Sequence, residues 1–344
     1  MKRIAIVEAV RGFAATYVLA GHLFSHTAGW TVLLRFGQEA VIIFFVVSGF
    51  VVMHSTITHP DKSFRGYFAR RFFRIYPIFL LALALSYALS TTWTVDIRSL
   101  IGNILMLQDV SFAKPGVLFR TFEGNLPLWS LSYEWWFYMM FFPLYRFVEA
   151  RAQLPIVTAA AVGAVIAYNA THFQPLLFIA YFPLWWAGVE IARAKARGEP
   201  IPFGRILMSV ALTAATFAAY LIAAMAAGGP IRLGLHPVLE LRHALTGIAI
   251  VAAVIVYHRL EPWRLDRIAM PFAVVAPISY GIYALQWPIL TSAAAQSLPS
   301  YARLVCEVLA VLAVAYAAEM VSRHLVMRLH KRIDRPVRTS VEAI

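Results

Sequence analysis

Arg11 and His22 stand eleven residues apart in a largely apolar run near the amino terminus. At 100° per residue, eleven positions return to within roughly 20° of the starting direction, about 16 Å further along the axis. A helix carrying both therefore shows them on one face. An imidazole is neutral near pH 7 and can take up a proton, and a guanidinium binds anions. The bland alternative is a snorkelling arginine and a histidine packed at an interface. His26 follows four residues after His22. That spacing could chelate a metal, but no third ligand stands nearby, and no metal is expected.

Two further groups of polar residues interrupt apolar sequence. Arg71 and Arg74 lie three apart in Phe64-Arg-Gly-Tyr-Phe-Ala-Arg-Arg-Phe-Phe-Arg-Ile-Tyr-Pro77, so on a helix they share a face. Adjacent guanidiniums repel unless an anion joins them, and phosphate matches their bidentate donors. A topological anchor explains Lys62, Arg65 and Arg70 adequately, but Arg74 less well, because it already lies inside an apolar run. Glu134, in Trp129-Ser-Leu-Ser-Tyr-Glu134, falls about 12 Å into a helix begun near Leu126. A carboxylate there needs a His, Arg or Tyr partner. Trp129, Trp135 and Trp136 read as an interfacial aromatic belt. Ser48-Gly49 suits close helix packing, and His54 reads as packing or interfacial. Tyr280, Tyr283 and Gln286 fall close together in one late run, where they bind either a ligand or one another.

The elements that carry these residues are membrane spans. The chain has 344 residues, 61% hydrophobic and 14% charged, with a mean hydropathy of +0.71. That excludes a water-soluble globule, a disordered tail and, with Cys306 alone, a disulfide-built module. A bilayer core needs about 20 apolar residues per helix. Ten stretches qualify, near Ile4–Ser25, Gln38–Thr58, Arg71–Ser90, Leu126–Phe147, Leu154–Ala170, Leu176–Ala194, Ile206–Ala226, Val238–His258, Ile268–Ala293 and Tyr301–Val321. The chain reads as an all-α polytopic membrane protein. With both termini cytoplasmic, twenty-two cations fall inside and seven outside, and Arg11 lies within the first helix. The positive-inside rule thus absorbs most of the +13 charge without nucleic acid. The one long connection, Thr91 to Asn125, reads as a cap or re-entrant element, with Leu100–Leu107 too short to span.

In this order the pieces resemble the acyltransferase-3 family of integral-membrane acyltransferases. The matching features are Arg-x10-His at Arg11 and His22, Phe-Phe-x-x-Ser-Gly-Phe at Phe44–Phe50, and Arg-x-x-Arg-Ile-x-Pro at Arg71–Pro77. Trp-Ser-Leu-Ser-x-Glu at Trp129–Glu134 and Ser-Tyr-x-x-Tyr-x-Leu at Ser279–Leu285 complete the set. The similarity runs over nearly the whole chain. It implies a membrane acyltransferase domain over residues 1–330, with 331–344 a basic cytoplasmic tail and no soluble extracytoplasmic domain. It also implies a bacterial cytoplasmic (inner) membrane, surrounding lipid, acyl-CoA (commonly acetyl-CoA) as donor, and a hydroxyl of an extracytoplasmic or lipid-linked glycan as acceptor. The family usually has His where this chain has Gln286, which can hold a hydrogen bond but cannot shuttle a proton near neutral pH. The base role therefore falls to His22.

On this reading Arg71, Arg74, Arg11 and Arg70 bind the phosphorylated donor, and His22 is the general base. Glu134 orients the imidazole or stabilises its cation, and Asn125, Ser132, Tyr133 and Gln286 contact the substrate or the oxyanion. Two other classes are weighed against the enzyme: a transporter of an acyl donor or small anion, and a non-catalytic subunit of a glycan-export assembly. The absence of an internal repeat speaks against the transporter. The oligomeric state is open.

Overall fold

The computed structural model describes residues 5–24, 33–34, 36–91, 94–228, 231–259 and 270–333. His26, the outer edges of the first and ninth expected spans and residues 334–344 of the tail lie outside them. Helices make up nearly all of the described chain. They are α1 (Ala5–Leu23), α2 (Gly37–Thr58), α3 (Phe64–Ala88), α4 (Ile97–Ile104), α5 (Trp129–Phe147), α6 (Ala150–Thr171), α7 (Pro175–Ala180) and α8 (Phe182–Arg197). There follow α9 (Phe203–Ala226), α10 (Val238–Arg259), α11 (Ser279–Leu290), α12 (Ala293–Gln296) and α13 (Ser300–Ile333). The protein is an all-α polytopic membrane protein. Among the described residues, six segments are long and apolar enough to cross a bilayer: α2, α6, α7 with α8, α9, α10 and most of α13. Of the other expected spans, α1, α3 and α5 carry the ionisable residues singled out above. The ninth breaks up: 3₁₀ turns occupy Met270–Val274 and Ala276–Ile278, and α11 has only 12 residues. Pro271, Pro277 and Pro288 remove backbone donors along this stretch.

Local chemistry sets the ends of α3. Ser63 caps its start by accepting from the Gly66 amide at 3.0 Å, so the helix begins seven residues before Arg71 and places that residue about 10 Å inside it. Lys62 donates to the carbonyls of Thr56 and Ile57 at 2.6 and 2.7 Å, satisfying the last turn of α2.

Helices α2 and α8 cross along much of their lengths. The approach depends on Gly49 and Gly188: a methyl at the first would overlap the Trp185 carbonyl, and at the second the Val46 carbonyl. The expected close packing at Ser48-Gly49 is thus present. Trp185, Trp186, Phe45, Phe137 and Phe141 fill the centre and are fully buried. The tryptophans of α5 join them rather than forming a belt. Trp129 and Trp135 are buried, and Trp136 donates to the Met106 carbonyl at 2.9 Å. The reason is that α5 is enclosed by protein, so its aromatic faces meet other rings instead of lipid headgroups.

The long connection folds into a cap. After α4, a short parallel pair joins β1 (Gln108–Asp109) to β2 (Phe119–Arg120). Asn103 staples the unit through the Ser99 and Arg120 carbonyls and the Phe122 amide. Inside it, Lys114 pairs with Asp109 at 3.0 Å, both almost fully buried. The ammonium lies 4.4 Å from the centre of the Trp129 ring and 4.8 Å from that of Tyr133. Removing one partner of such a pair strands a buried charge. Lys114→Met is expected to cost roughly 3–5 kcal/mol and to lower the unfolding temperature in detergent, with Asp109→Asn in the same chain recovering part of the loss.

Candidate functional site

Two cavities lie in series along one face of α1. The first, of about 120 Å³, is lined by Arg11, Arg71, Arg74, Glu134, Ser48, Tyr138 and the start of α11. The second, of about 420 Å³, is lined by His22, Gln38, Trp129, Arg242, Trp287 and the end of the cap around Val110 and Phe112. The expected shared face of Arg11 and His22 is present, and α11 lies against it. Arg11 donates to Ser279 Oγ at 3.1 Å and to the Ala276 carbonyl at 2.6 Å, with Glu8 at 3.5 Å. His22 meets the Trp287 ring edge-on at 5.0 Å, while the buried Gln286 side chain donates to the Tyr283 carbonyl at 3.4 Å.

The three arginines of the first cavity differ in what surrounds them. Arg74 pairs with Glu319 of α13 at 3.5 Å and stands over the Tyr280 ring at 5.2 Å. Arg11 is satisfied by α11 and Glu8. Arg71 is buried, with 6% of its surface exposed, and none of the ion pairs among the described residues includes it. It donates to the neutral Ser55 hydroxyl at 3.0 Å and lies 5.4 and 5.6 Å from the rings of Tyr67 and Tyr138. Its Nε has no hydrogen-bond partner. A buried guanidinium held by π faces and one hydroxyl can take an anion, because leaving the charge without a counter-ion is costly.

Glu134 also belongs to this cavity. It accepts from Ser48 Oγ at 3.0 Å and from Tyr138, and Trp185 Nε1 donates to Ser48 at 3.1 Å. The Trp185–Ser48–Glu134–Tyr138 chain ties α2, α5 and α8 together. The expected contact between Glu134 and His22 is therefore replaced: the carboxylate shares the first cavity with the arginines and His22 meets Trp287, because His22 lines the second cavity.

The remaining candidates are not brought to either cavity. Arg70 turns away to the Asp61 carbonyl and His59. Beside it, the Ser63 hydroxyl and amide hold the Asp61 carboxyl below the ordinary range. Ser132 donates to the backbone of Gln108 and Trp129. Tyr133 donates to Asp109 at 2.7 Å and receives from Lys114. Asn125 spends its amide on Ser86 at 3.0 Å and on the Ala284 carbonyl at 3.5 Å. Sequence reasoning missed Tyr138 and Glu319. Each carried a signal: a tyrosine one turn after Glu134, and a carboxylate within the apolar last span.

The protein is 31% identical over 166 residues to acyltransferase MdmB of Streptomyces mycarofaciens, covering 43% of this chain and 40% of that one. It is 25% identical over 207 residues to nodulation protein 10 of Rhizobium leguminosarum bv. viciae, covering 52% and 56% respectively. The chain thus spans about half the length of the curated relatives it matches. No solved structure matches it. The family profile Acyl_transf_3, the acyltransferase domain, matches residues 4–321, from α1 into α13 and through both cavities, so the chain belongs to that family.

Proposed function

We propose that this protein transfers an acyl group, acetyl in the simplest case, from cytoplasmic acyl-CoA to a hydroxyl of an extracytoplasmic or lipid-linked glycan. The observation that carries the reading is Arg71, a buried cation outside the ion pairs of the described residues, on a cavity whose neighbour along α1 holds a histidine. Its fork suits a phosphate of the donor, with Arg74 and Arg11 beside it. The α1 face from Arg11 to His22 offers the donor's pantetheine arm a path of about 16 Å. The second cavity combines Trp129, Trp287 and Phe112 with His22, Gln38 and Arg242, a mixture of flat apolar and polar surface that suits a sugar ring.

In this scheme His22 takes the proton of the acceptor hydroxyl as that oxygen attacks the thioester carbon, and returns it to the departing thiolate. Trp287, edge-on to the imidazole, keeps it aimed into the cavity, and Glu134 holds the arginine cavity in shape through Ser48 and Tyr138. The reading sets the chain in a bacterial cytoplasmic membrane with both termini inside, supported by the cation asymmetry.

Mass spectrometry of surface glycans from cells with and without the gene tests the proposal. One acetyl mass per modified unit, lost on deletion and restored by the intact chain, is expected. Unchanged glycans together with uptake or efflux of acyl donor by vesicles carrying the chain would replace the enzyme with a transporter.

A further inference from the structure

Among the described residues, Tyr283 is the single one that lines both cavities. Its hydroxyl donates to the Pro127 carbonyl at 2.7 Å and meets the Ser130 hydroxyl at 2.8 Å. Pro127 belongs to the wall of the histidine cavity and Ser130 to the wall of the arginine cavity. The ring is 5% exposed and packs against Phe44 at 5.8 Å. On α11, Ser279, Tyr283 and Trp287 follow at successive intervals of four and share a face. Ser279 holds Arg11 and Trp287 touches His22, so Tyr283 stands between the two halves of the site.

We propose that Tyr283 is the partition between a donor chamber and an acceptor chamber: its ring shuts water and bulky acyl chains out of the passage, and its bonds to Pro127 and Ser130 latch the ring in place. The inference rests on the acyl-CoA reading of the two cavities. The need for such a partition is chemical. A base that activates a sugar hydroxyl also activates water. Water oxygen would then bond to the thioester carbon, the carbon–sulfur bond would break, and the thiolate would regain the proton through His22, releasing acetate and free CoA. His22 cannot discriminate between these nucleophiles, so exclusion must come from the walls. The ring stands between spaces of about 120 and 420 Å³, both of which it lines.

The test uses membranes carrying the full chain, radiolabelled acetyl-CoA and butyryl-CoA, and separate counting of free acid and of label on the glycan fraction. Tyr283→Ala is expected to raise the ratio of free acetate to glycan-bound acetyl by about tenfold and to admit butyryl-CoA as a donor. Tyr283→Phe, which keeps the ring and loses the latch, should retain transfer with a smaller rise in free acetate. Should Tyr283→Ala fail to accumulate, Tyr283→Leu carries the same expectation. An unchanged ratio in the Ala or Leu variant overturns the partition. So does a Tyr283→Phe chain that loses transfer without releasing acetate, since that assigns the hydroxyl to the chemistry. A wild-type chain that labels neither product overturns the acyl-CoA reading itself, a result distinct from wild-type transfer with an unaltered ratio.

Discussion

His22→Ala is expected to cut acyl transfer by about 10²–10⁴-fold, the usual contribution of a positioned base, while leaving CoA binding close to wild type. The division follows from geometry. His22 lines the second cavity with Trp287, and the arginines line the first. Because proton removal is the step lost, the fall should appear in kcat. Trp287→Ala should act in the same direction more weakly, since it removes the ring that packs edge-on against the imidazole and frees it to rotate. Steady-state kinetics and equilibrium binding of CoA check both. A parallel loss of CoA binding in His22→Ala would show that the two cavities do not divide the work. Trapping of label on His22 would instead mark it as a nucleophile, with the acyl group passing through the imidazole.

The second large effect is expected at Arg71. Loss of a hydrogen bond to a charged group costs roughly 1.5–3 kcal/mol, so Arg71→Ala should weaken CoA binding by about tenfold to a hundredfold, with the change carried by KM for the donor. Arg71→Lys should recover only part of it, because an ammonium lacks the planar fork and stacks less well between Tyr67 and Tyr138. Arg74→Ala should behave differently. Its guanidinium already has Glu319 as a counter-ion, and Glu319 is 1% exposed, so truncation leaves that buried carboxylate with Arg323 alone, at 4.0 Å. A drop in thermal stability should accompany a smaller loss of CoA affinity. Isothermal titration with CoA and 3′-dephospho-CoA, alongside unfolding in detergent, separates these outcomes. Equal affinity losses without a stability difference would show that Arg71 is not the anion site.

Much of the scaffold is visible in the sequence because the forces that build it are local. A bilayer asks each helix for a run of apolar residues, and the runs expected at Gln38–Thr58, Ile206–Ala226 and Val238–His258 end within three residues of α2, α9 and α10. The exceptions are instructive. The run at Leu176–Ala194 is two helices, with the break at Tyr181 just before Phe182-Pro183. Helix α13 continues to Ile333, twelve residues past the expected Val321, because hydropathy senses the edge of the lipid rather than the end of a helix. The tryptophans of α5 have a composition that fits either an interface or a core, and only their neighbours distinguish the two.

The types and periodicity of residues sufficed to mark Arg11, His22, Arg71, Arg74 and Glu134 as costly within apolar helices, and to put Arg11 and His22 on one face. That much follows from the price of an ionisable group in hydrocarbon and from 3.6 residues per turn. Which residue answers which was decided only by the packed chain. Arg11 meets Ser279 across 268 positions, Arg74 meets Glu319 across 245, and Ser48 reaches Glu134 across 86. No spacing rule spans such separations. The close crossing at Gly49 and Gly188 and the start of α11 after its 3₁₀ turns set where these side chains can touch. The same packing sends Glu134 to the cavity of the arginines, sets His22 against Trp287, and leaves Arg71 with aromatic rings and a hydroxyl where a carboxylate would have cancelled it.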